Sequence, residues 1–171
     1  PNFHAYFNAN ASYASILAEL ITAALGTQCM IWETSPAAAE LEERVMKWLI
    51  NMTGLPQSWD GVIQDTASTG TLVSILTARE KFARFDINNQ GFSNQKLRVY
   101  CSAQTHSSID KSVKIAGIGL DNLVKIPVDD QMALLPHFLE EAIKSDLASN
   151  KIPCCIITTL GTTGTTGMDP L

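Results

Sequence analysis

The sequence predicts an α/β fold, a mostly parallel sheet covered by helices. Short apolar strands and amphipathic helices alternate along most of the chain, and this alternation implies right-handed βαβ units. Residues 154–160 form a continuous apolar and β-branched run, which is typical of a parallel strand buried on both faces. Hydrophobic residues make up 46% of the chain, enough for a sizeable core.

The N-terminal part of the chain is predicted to be helical over residues 12–54. Residues 12–26 are rich in helix formers and end on a glycine. A second helix is predicted with Ser35 as its N-cap and Pro36 in its first position. Gly54 ends that helix.

The rest of the chain alternates between predicted strands and helices. The predicted strands are 62–64, 97–102, 122–126 and 154–160. The predicted helices begin at Ser68, Ser107 and Pro136. Residues 86–95 are polar and are predicted to form an exposed loop. Because ligands bind at the carboxyl ends of parallel strands, the residues after each strand are the candidates for function.

Composition and charge exclude several classes of function. The net charge of −5 argues against a nucleic-acid or anionic-membrane partner, and no apolar run reaches the ~18 residues typical of a membrane span. The three histidines have no metal-ligand spacing, so no metal site is expected. The four cysteines form no CxxC motif and are expected to be reduced thiols of a cytoplasmic protein.

Small residues open the helix that follows the strand 62–64. Ala67 and Ser68 leave backbone N–H groups exposed at a helix start, where the helix dipole favours an anion such as phosphate. An ordinary N-cap at Thr66 or Ser68 explains the same residues. Both interpretations remain open on this segment alone.

Two further segments follow predicted strands. His106 could stack on a planar ligand or act as a base, or its polar atoms could simply be satisfied near a helix start. The segment 161–167 combines three glycines with four threonines, which allows close backbone approach and hydrogen bonding to a ligand. A flexible connector is less favoured, because the segment follows a buried strand directly. The sequence contains neither a Walker A motif nor a G-x-G-x-x-G motif.

Short motifs with specific order and spacing run from Phe3 to Leu171. They are Tyr6-Phe7, Ser35-Pro36-Ala37, Val62-Ile63-Gln64, Ala67-Ser68, His106-Ser107-Ser108, Leu160-Gly161-Thr162-Thr163 and Asp169. Together they resemble the group II pyridoxal-phosphate-dependent decarboxylases, closest to the aromatic L-amino acid decarboxylases. The resemblance implies the large domain of a fold-type I pyridoxal-phosphate-dependent transferase. Residues 1–171 would be part of this single domain, with the helical segment 12–54 preceding its sheet.

The resemblance implies a site for pyridoxal 5′-phosphate. Ala67 and Ser68 match the positions that hold the cofactor phosphate. His106 matches the imidazole that stacks on the pyridine ring and contacts the substrate carboxylate region, which makes it the predicted catalytic residue. Thr163 matches a threonine that lines the cofactor pocket.

The resemblance also implies a substrate pocket at a subunit interface. Tyr6 and Phe7 match an aromatic stretch at that pocket, and Asn8 stands where aromatic decarboxylases usually carry a proline. Gln28 and Met30 match positions that reach into the partner subunit's site, since enzymes of this family are dimers. A homodimer with a small amino acid substrate is therefore expected.

The implied reaction is removal of CO2 from an aromatic L-amino acid such as tryptophan, tyrosine or dopa, giving the amine. Alternatives that keep the cofactor are a decarboxylase of glutamate, cysteine sulfinate or diaminobutyrate, and a synthase of aromatic aldehydes. A non-catalytic protein on the same fold is a third hypothesis. The family's cofactor-linking lysine and its pyridinium-binding aspartate match nothing up to Leu171, so the chain is expected to be a piece of a longer polypeptide.

Overall fold

A computed structural model of the chain describes residues 11–93 and 95–171. The chain divides into two compact units, Pro1–Ile63 and Gln64–Leu171. The first unit contains helix α1 (Tyr13–Leu25), a short 3-10 turn (Trp32–Thr34) and helix α2 (Pro36–Thr53). Both helices of the segment 12–54 were predicted from the sequence.

The ends of α1 and α2 follow from their local sequence. Ser12 caps α1 through reciprocal hydrogen bonds with Ser15, and Gly26 ends it in the left-handed conformation at φ 56°. Ser35 occupies the predicted N-cap position of α2, although its side chain makes no capping hydrogen bond. Gly54 ends α2 with φ 70°, so both helix ends require a residue that tolerates positive φ.

The second unit contains the predicted parallel sheet. Its strands are β1 (Leu97–Ser102), β2 (Leu123–Ile126) and β3 (Ile152–Ile157), and they lie in the order β2-β1-β3. Both neighbouring pairs are parallel, which confirms the fold class. The central strand β1 carries the most buried side chains, because it has a neighbour on each side.

Helices cover both faces of this sheet. They are α3 (Ala67–Phe82), α5 (Ser108–Ile115) and α6 (Pro136–Ala148), while the short helix α4 (Asp86–Gln90) packs against α3. Val99 and Cys101 pack with Ile75 of α3 and with α5 on one face. Tyr100 points to the opposite face, as alternation along a strand requires, and packs under α6. The unit is therefore a helix–sheet–helix sandwich.

The predicted strand 62–64 is wrong. These residues belong to no strand of the described structure, and Val62 and Ile63 are 66% and 56% exposed. The backbone N–H of Ile63 donates to the Glu42 carboxylate at 2.9 Å. An apolar run becomes a strand only when another strand pairs with its backbone, and here a side chain takes that place.

The predicted loop 86–95 is wrong over its first half, where α4 forms. Ile87 is buried, and the Asn88 N–H donates to the Glu80 carboxylate at 3.1 Å. One buried side chain and one long-range acceptor thus stabilise a helical turn in a polar segment.

The last strand differs from its prediction in extent and burial. β3 spans Ile152–Ile157 instead of 154–160, and it is not buried on both faces, since Ile156 is 49% exposed. Among the described strands β3 pairs only with β1. Its apolar side chains are consequently less buried than those of the central strand β1.

Candidate functional site

One edge of the sheet, called here the carboxyl edge, collects the ends of all three strands at Ser102, Ile126 and Ile157. Helix α5 follows β1 and runs back towards the opposite edge, as crossover helices do. Helices α3 and α5 end together, because the Arg79 guanidinium donates to the Ala116 carbonyl at 2.7 Å. Both helices therefore run in the same direction, with their N-termini on the side of the carboxyl edge.

The start of α3 presents two unpaired donors at this edge. The Thr66 hydroxyl caps the helix by accepting from the Thr69 N–H at 3.2 Å, and the Gly70 N–H bonds to the Thr66 carbonyl at 3.0 Å. The N–H groups of Ala67 and Ser68 have no acceptor among residues 11–93 and 95–171, and both residues are exposed. An N-cap and an anion site, which were alternatives from the sequence, are thus compatible here.

His106 lies in the turn between β1 and α5 and is exposed. The Ser108 backbone N–H donates to the His106 Nδ1 at 3.1 Å, while Ser102 and Thr105 share a hydroxyl hydrogen bond of 3.0 Å within the same turn. Because Nδ1 accepts, the neutral imidazole carries its proton on Nε2. The structure therefore fixes the ring from one side and leaves Nε2–H available to a ligand.

The segment 158–169, called here the threonine loop, is closed by its own hydrogen bonds. The Thr162 hydroxyl is buried, bonds to the Thr165 hydroxyl at 2.7 Å and accepts from the Gly167 N–H at 3.0 Å. The Thr162 N–H also donates to the Gly167 carbonyl at 3.0 Å. Thr163 is exposed beside this closure. The loop is therefore built as a fixed support instead of a flexible connector.

Asp169 ends the threonine loop and is the residue whose role the sequence did not reveal. Asp169 is 3% exposed, and its carboxylate accepts from the Leu134 N–H at 2.9 Å and the Thr159 N–H at 2.8 Å. An acidic residue between Met168 and Pro170 is the only sequence signal of this burial. Both oxygens serve the backbone, so the carboxylate holds the loop and is not free for a ligand.

The residues predicted for the substrate pocket lie elsewhere in the sequence. Gln28 and Met30 belong to the first unit. Both are exposed, and the Gln28 side chain accepts from the Met30 N–H at 2.9 Å. Tyr6, Phe7 and Asn8 lie outside the described residues. His106 and Thr163 lie on segments that follow β1 and β3 at the carboxyl edge. The roles assigned to Ala67, Ser68, His106 and Thr163 stay predictions, as do those of the substrate-pocket residues.

Within residues 11–93 and 95–171, no group of three or more His, Cys, Asp or Glu side chains could hold a metal ion. In the same part of the chain, no helix combines the length and apolar character needed to cross a membrane.

Fold and site define a parallel α/β protein with a helix start and an imidazole on the side of its carboxyl edge. The pyridoxal-dependent decarboxylase conserved domain matches residues 1–171. Phenylacetaldehyde synthase from Arabidopsis thaliana is 40% identical over the whole chain, which covers 36% of that protein. Tyrosine decarboxylase 2 from Narcissus pseudonarcissus is 41% identical, again over the whole chain and over 35% of the relative.

A solved structure agrees with these sequence relatives. The tryptophan decarboxylase of Catharanthus roseus, in complex with L-tryptophan, superimposes with a TM-score of 0.88 at 38% identity. The match covers 99% of this chain and 36% of that structure. This chain belongs to the pyridoxal-dependent decarboxylase family, which confirms the resemblance and the family's cofactor class. It spans about a third of the length of these relatives.

Proposed function

We propose that the whole protein removes CO2 from an aromatic L-amino acid, with pyridoxal 5′-phosphate as its cofactor, and releases the amine. One observation carries this proposal. Among residues 11–93 and 95–171, the N–H groups of Ala67 and Ser68 and the Nε2–H of His106 find no acceptor, and they lie on segments on the side of the carboxyl edge. A phosphate group and a flat ring on one ligand match this pair of features.

The start of α3 fits the phosphate. Thr66 occupies the N-cap and satisfies Thr69, which leaves two backbone donors pointing away from the helix, and the helix dipole adds positive potential there. Ser68 is exposed, so its hydroxyl can donate as well. These groups would hold the phosphate without any cationic side chain.

His106 fits the ring and the substrate carboxylate. Its imidazole is held at Nδ1 by Ser108, so one face would be available for stacking and Nε2–H for donation to the carboxylate. When bound, pyridoxal phosphate supplies an electron sink for the pair left on the substrate's Cα as CO2 departs. His106 would keep the bond that breaks perpendicular to the ring, and Thr163 would line the same pocket.

The substrate would be recognised by residues of the N-terminal segment in a homodimer. Tyr6, Phe7 and Asn8 would line the pocket of their own subunit, and Gln28 and Met30 would reach the pocket of the partner. The exposure of Gln28 and Met30 supports such a contact. Size-exclusion chromatography with light scattering of the full-length protein should give twice the chain mass, and a monomer with full activity would contradict the interface.

A reducing compartment, the cytoplasm, is the proposed location. Cys29, Cys101, Cys154 and Cys155 are all free thiols in the structure. Burial raises the pKa of the Cys101 thiol, which keeps it protonated and unreactive. Labelling of the native protein in cell extracts should find these thiols reduced.

A substrate panel tests the proposed reaction. The full-length protein with pyridoxal phosphate would be given tryptophan, tyrosine, dopa, glutamate, cysteine sulfinate and diaminobutyrate in turn, with CO2, amine and aldehyde all measured. We expect equal amounts of CO2 and amine from the aromatic substrates. Product from glutamate, cysteine sulfinate or diaminobutyrate alone would overturn the aromatic assignment, and protein reduced with borohydride in the presence of cofactor is the inactive control.

An aromatic aldehyde synthase is the second candidate function. It is favoured by the identity of 40% to a phenylacetaldehyde synthase, nearly equal to the 41% with a tyrosine decarboxylase. The same panel, run in the presence of O2, separates the two, because a synthase would use O2 as oxidant and release aldehyde, ammonia and hydrogen peroxide in place of the amine.

A further inference from the structure

Two connections meet at the carboxyl edge. The first, called here the buttress turn, is residues 127–135 between β2 and α6, where Val128 and Leu134 form an antiparallel bridge. The second is the threonine loop, in which Leu160 and Met168 form another antiparallel bridge. Each connection is closed by its own backbone pairing, and the predicted site residue Thr163 lies inside the second.

Asp169 joins the two connections. One carboxylate oxygen accepts from Leu134 of the buttress turn at 2.9 Å, and the other accepts from Thr159 at the start of the threonine loop at 2.8 Å. The Asp169 N–H donates back to the Thr159 carbonyl at 2.9 Å. Because Asp169 is buried, at 3% exposure, water does not compete for these hydrogen bonds.

Gly167 forms a second, independent contact between the same connections. A Cβ atom added at this position would lie 2.3 Å from the Met132 carbonyl oxygen, which is closer than any real contact allows. The backbone of the threonine loop therefore packs directly on the buttress turn. The Gly167 N–H also donates to the buried Thr162 hydroxyl at 3.0 Å, so this contact is continuous with the closure of the loop.

We propose that Asp169 is a positioning residue, which holds Thr163 at the cofactor site by fixing the threonine loop to the buttress turn. The inference rests on the proposed function, since it assigns Thr163 to a pyridoxal phosphate pocket. Asp169 touches neither cofactor nor substrate in this account. Asp169 fixes the position of the loop backbone through the hydrogen bonds that its two carboxylate oxygens accept.

A carboxylate suits this task better than an amide. Asp169 accepts one backbone N–H on each oxygen, whereas asparagine has one accepting oxygen and one donating nitrogen. In Asp169→Asn, a backbone N–H of either Leu134 or Thr159 would face another donor. A buried donor without an acceptor is costly, so the substitution should release one of the two connections.

The test compares Asp169→Asn with Asp146→Asn in the full-length protein. Both aspartates are buried, at 3% and 5% exposure, and both lie in the second unit. Pyridoxal phosphate would be titrated into each apoprotein, and thermal unfolding of the apoproteins would be recorded in parallel. We expect Asp169→Asn to weaken cofactor binding about tenfold, as for one charge-assisted hydrogen bond, and Asp146→Asn to lower the unfolding temperature while leaving the dissociation constant unchanged.

A double-mutant cycle separates positioning from a merely structural role, and hydrogen exchange tests the two hydrogen bonds themselves. In a double-mutant cycle with Thr163→Ala, Asp169→Asn should have little further effect on cofactor affinity, because both substitutions remove the same contact. Should Asp169→Asn fail to fold, hydrogen exchange of the wild-type apoprotein replaces it. The Leu134 and Thr159 amides should then exchange as slowly as those of β1, and fast exchange at both would overturn the proposal.

The outcomes separate this inference from the proposed function. Wild-type protein that binds no pyridoxal phosphate would contradict the proposed function itself. Wild-type protein that binds the cofactor, with Asp169→Asn binding equally well, would overturn the positioning role alone.

Discussion

The two edges of the sheet each contain a buried aspartate, and the two carboxylates are used in opposite ways. At the edge where the strands begin, called here the amino edge, Asp146 accepts from Arg98 at 3.0 Å, Tyr100 at 2.8 Å and Lys151 at 3.1 Å. At the carboxyl edge, Asp169 accepts only from backbone N–H groups. Asp146 thus binds polar and charged side chains, whereas Asp169 fixes the backbone of two loops.

The polar side chains of the cluster around Asp146 at the amino edge are hydrogen-bonded to one another. Burial alone would raise the pKa of Asp146, but hydrogen bonds from Arg98, Tyr100 and Lys151 outweigh burial and lower it. Burial, together with Asp146, raises the pKa of the Tyr100 hydroxyl. Arg98, Tyr100 and Lys151 all donate to Asp146, so this cluster contributes to stability.

The carboxyl edge, by comparison, carries hydrogen-bond donors that have no acceptor in the described part of the chain. Ala67 and Ser68 keep N–H groups without acceptors in the described part of the chain, and His106 keeps its Nε2–H. The buried polar side chains of the amino-edge cluster serve stability, whereas the exposed donors at the carboxyl edge would serve the proposed ligand site. Substitutions at the two edges should therefore affect different quantities.

The largest expected effect is on stability and comes from Asp146→Ala. Removing the carboxylate leaves Arg98 and Tyr100 buried without their partner, and breaking a buried ion pair in this way costs about 3–5 kcal/mol. Chemical unfolding of the full-length protein would measure the loss, with cofactor affinity as the second readout. Weaker cofactor binding at temperatures where the variant is folded would contradict the claim that the amino-edge cluster affects stability alone.

The next effect is on activity and comes from His106→Ala. Without the imidazole, the ring and the substrate carboxylate would lose their orientation, and we expect kcat/KM to fall about 100-fold. His137→Ala is the matched control, because His137 lies near the start of α6 on the opposite face of the sheet. Equal losses from both substitutions would contradict a specific role for His106.

A smaller effect on cofactor affinity is expected from Ala67→Pro. Proline is tolerated at the first helical position, where α2 and α6 already carry it, and it removes only the N–H that we assign to the phosphate. Thr66 is extended at φ −146° and ψ 160°, as the residue before proline must be. We expect about tenfold weaker binding of pyridoxal phosphate.

The control ligand for Ala67→Pro is pyridoxal, which lacks the phosphate. Its affinity should be the same for the variant and the wild type. An equal loss of affinity for pyridoxal phosphate and for pyridoxal would contradict the assignment of the phosphate to the Ala67 N–H.

The smallest effect is a pH dependence that appears only in acid. Because the folded protein lowers the pKa of Asp146, its stabilisation is fully present above the unfolded-state pKa of about 3.9. It is lost as the pH falls through the lower folded-state pKa. Unfolding free energies of wild type and Asp146→Asn should therefore converge below pH 4 and stay parallel from pH 6 to 8. A constant difference in acid would contradict the ionised cluster.

The sequence predicted those parts of the fold whose causes are local. Strand β1 and helices α1, α2 and α6 follow from apolar periodicity, caps and prolines close in the chain. The strand at 62–64 was wrong because strand formation depends on a distant partner, and Ile63 bonds to Glu42 instead. Helix α4 was not predicted because its segment is polar apart from Ile87, and both the burial of Ile87 and the contact of Asn88 with Glu80 depend on the folded structure.

The same distinction applies to the candidate site. Ala67–Ser68 and His106 could be proposed from the residues, because a helix start and a strand end are local features. The role of Asp169 could not, since its partner Leu134 is 35 positions away. The free Nε2–H of His106 also required the structure, because only the contact with Ser108 fixes the tautomer.

The most direct test of the central claim is a crystal structure of the full-length protein with pyridoxal phosphate. We expect the phosphate at the N–H groups of Ala67 and Ser68, the ring against the His106 imidazole and Thr163 in the same pocket. A cofactor bound at the amino edge beside Asp146, or one that contacts neither α3 nor His106, would contradict the assignment of the carboxyl edge as the ligand site.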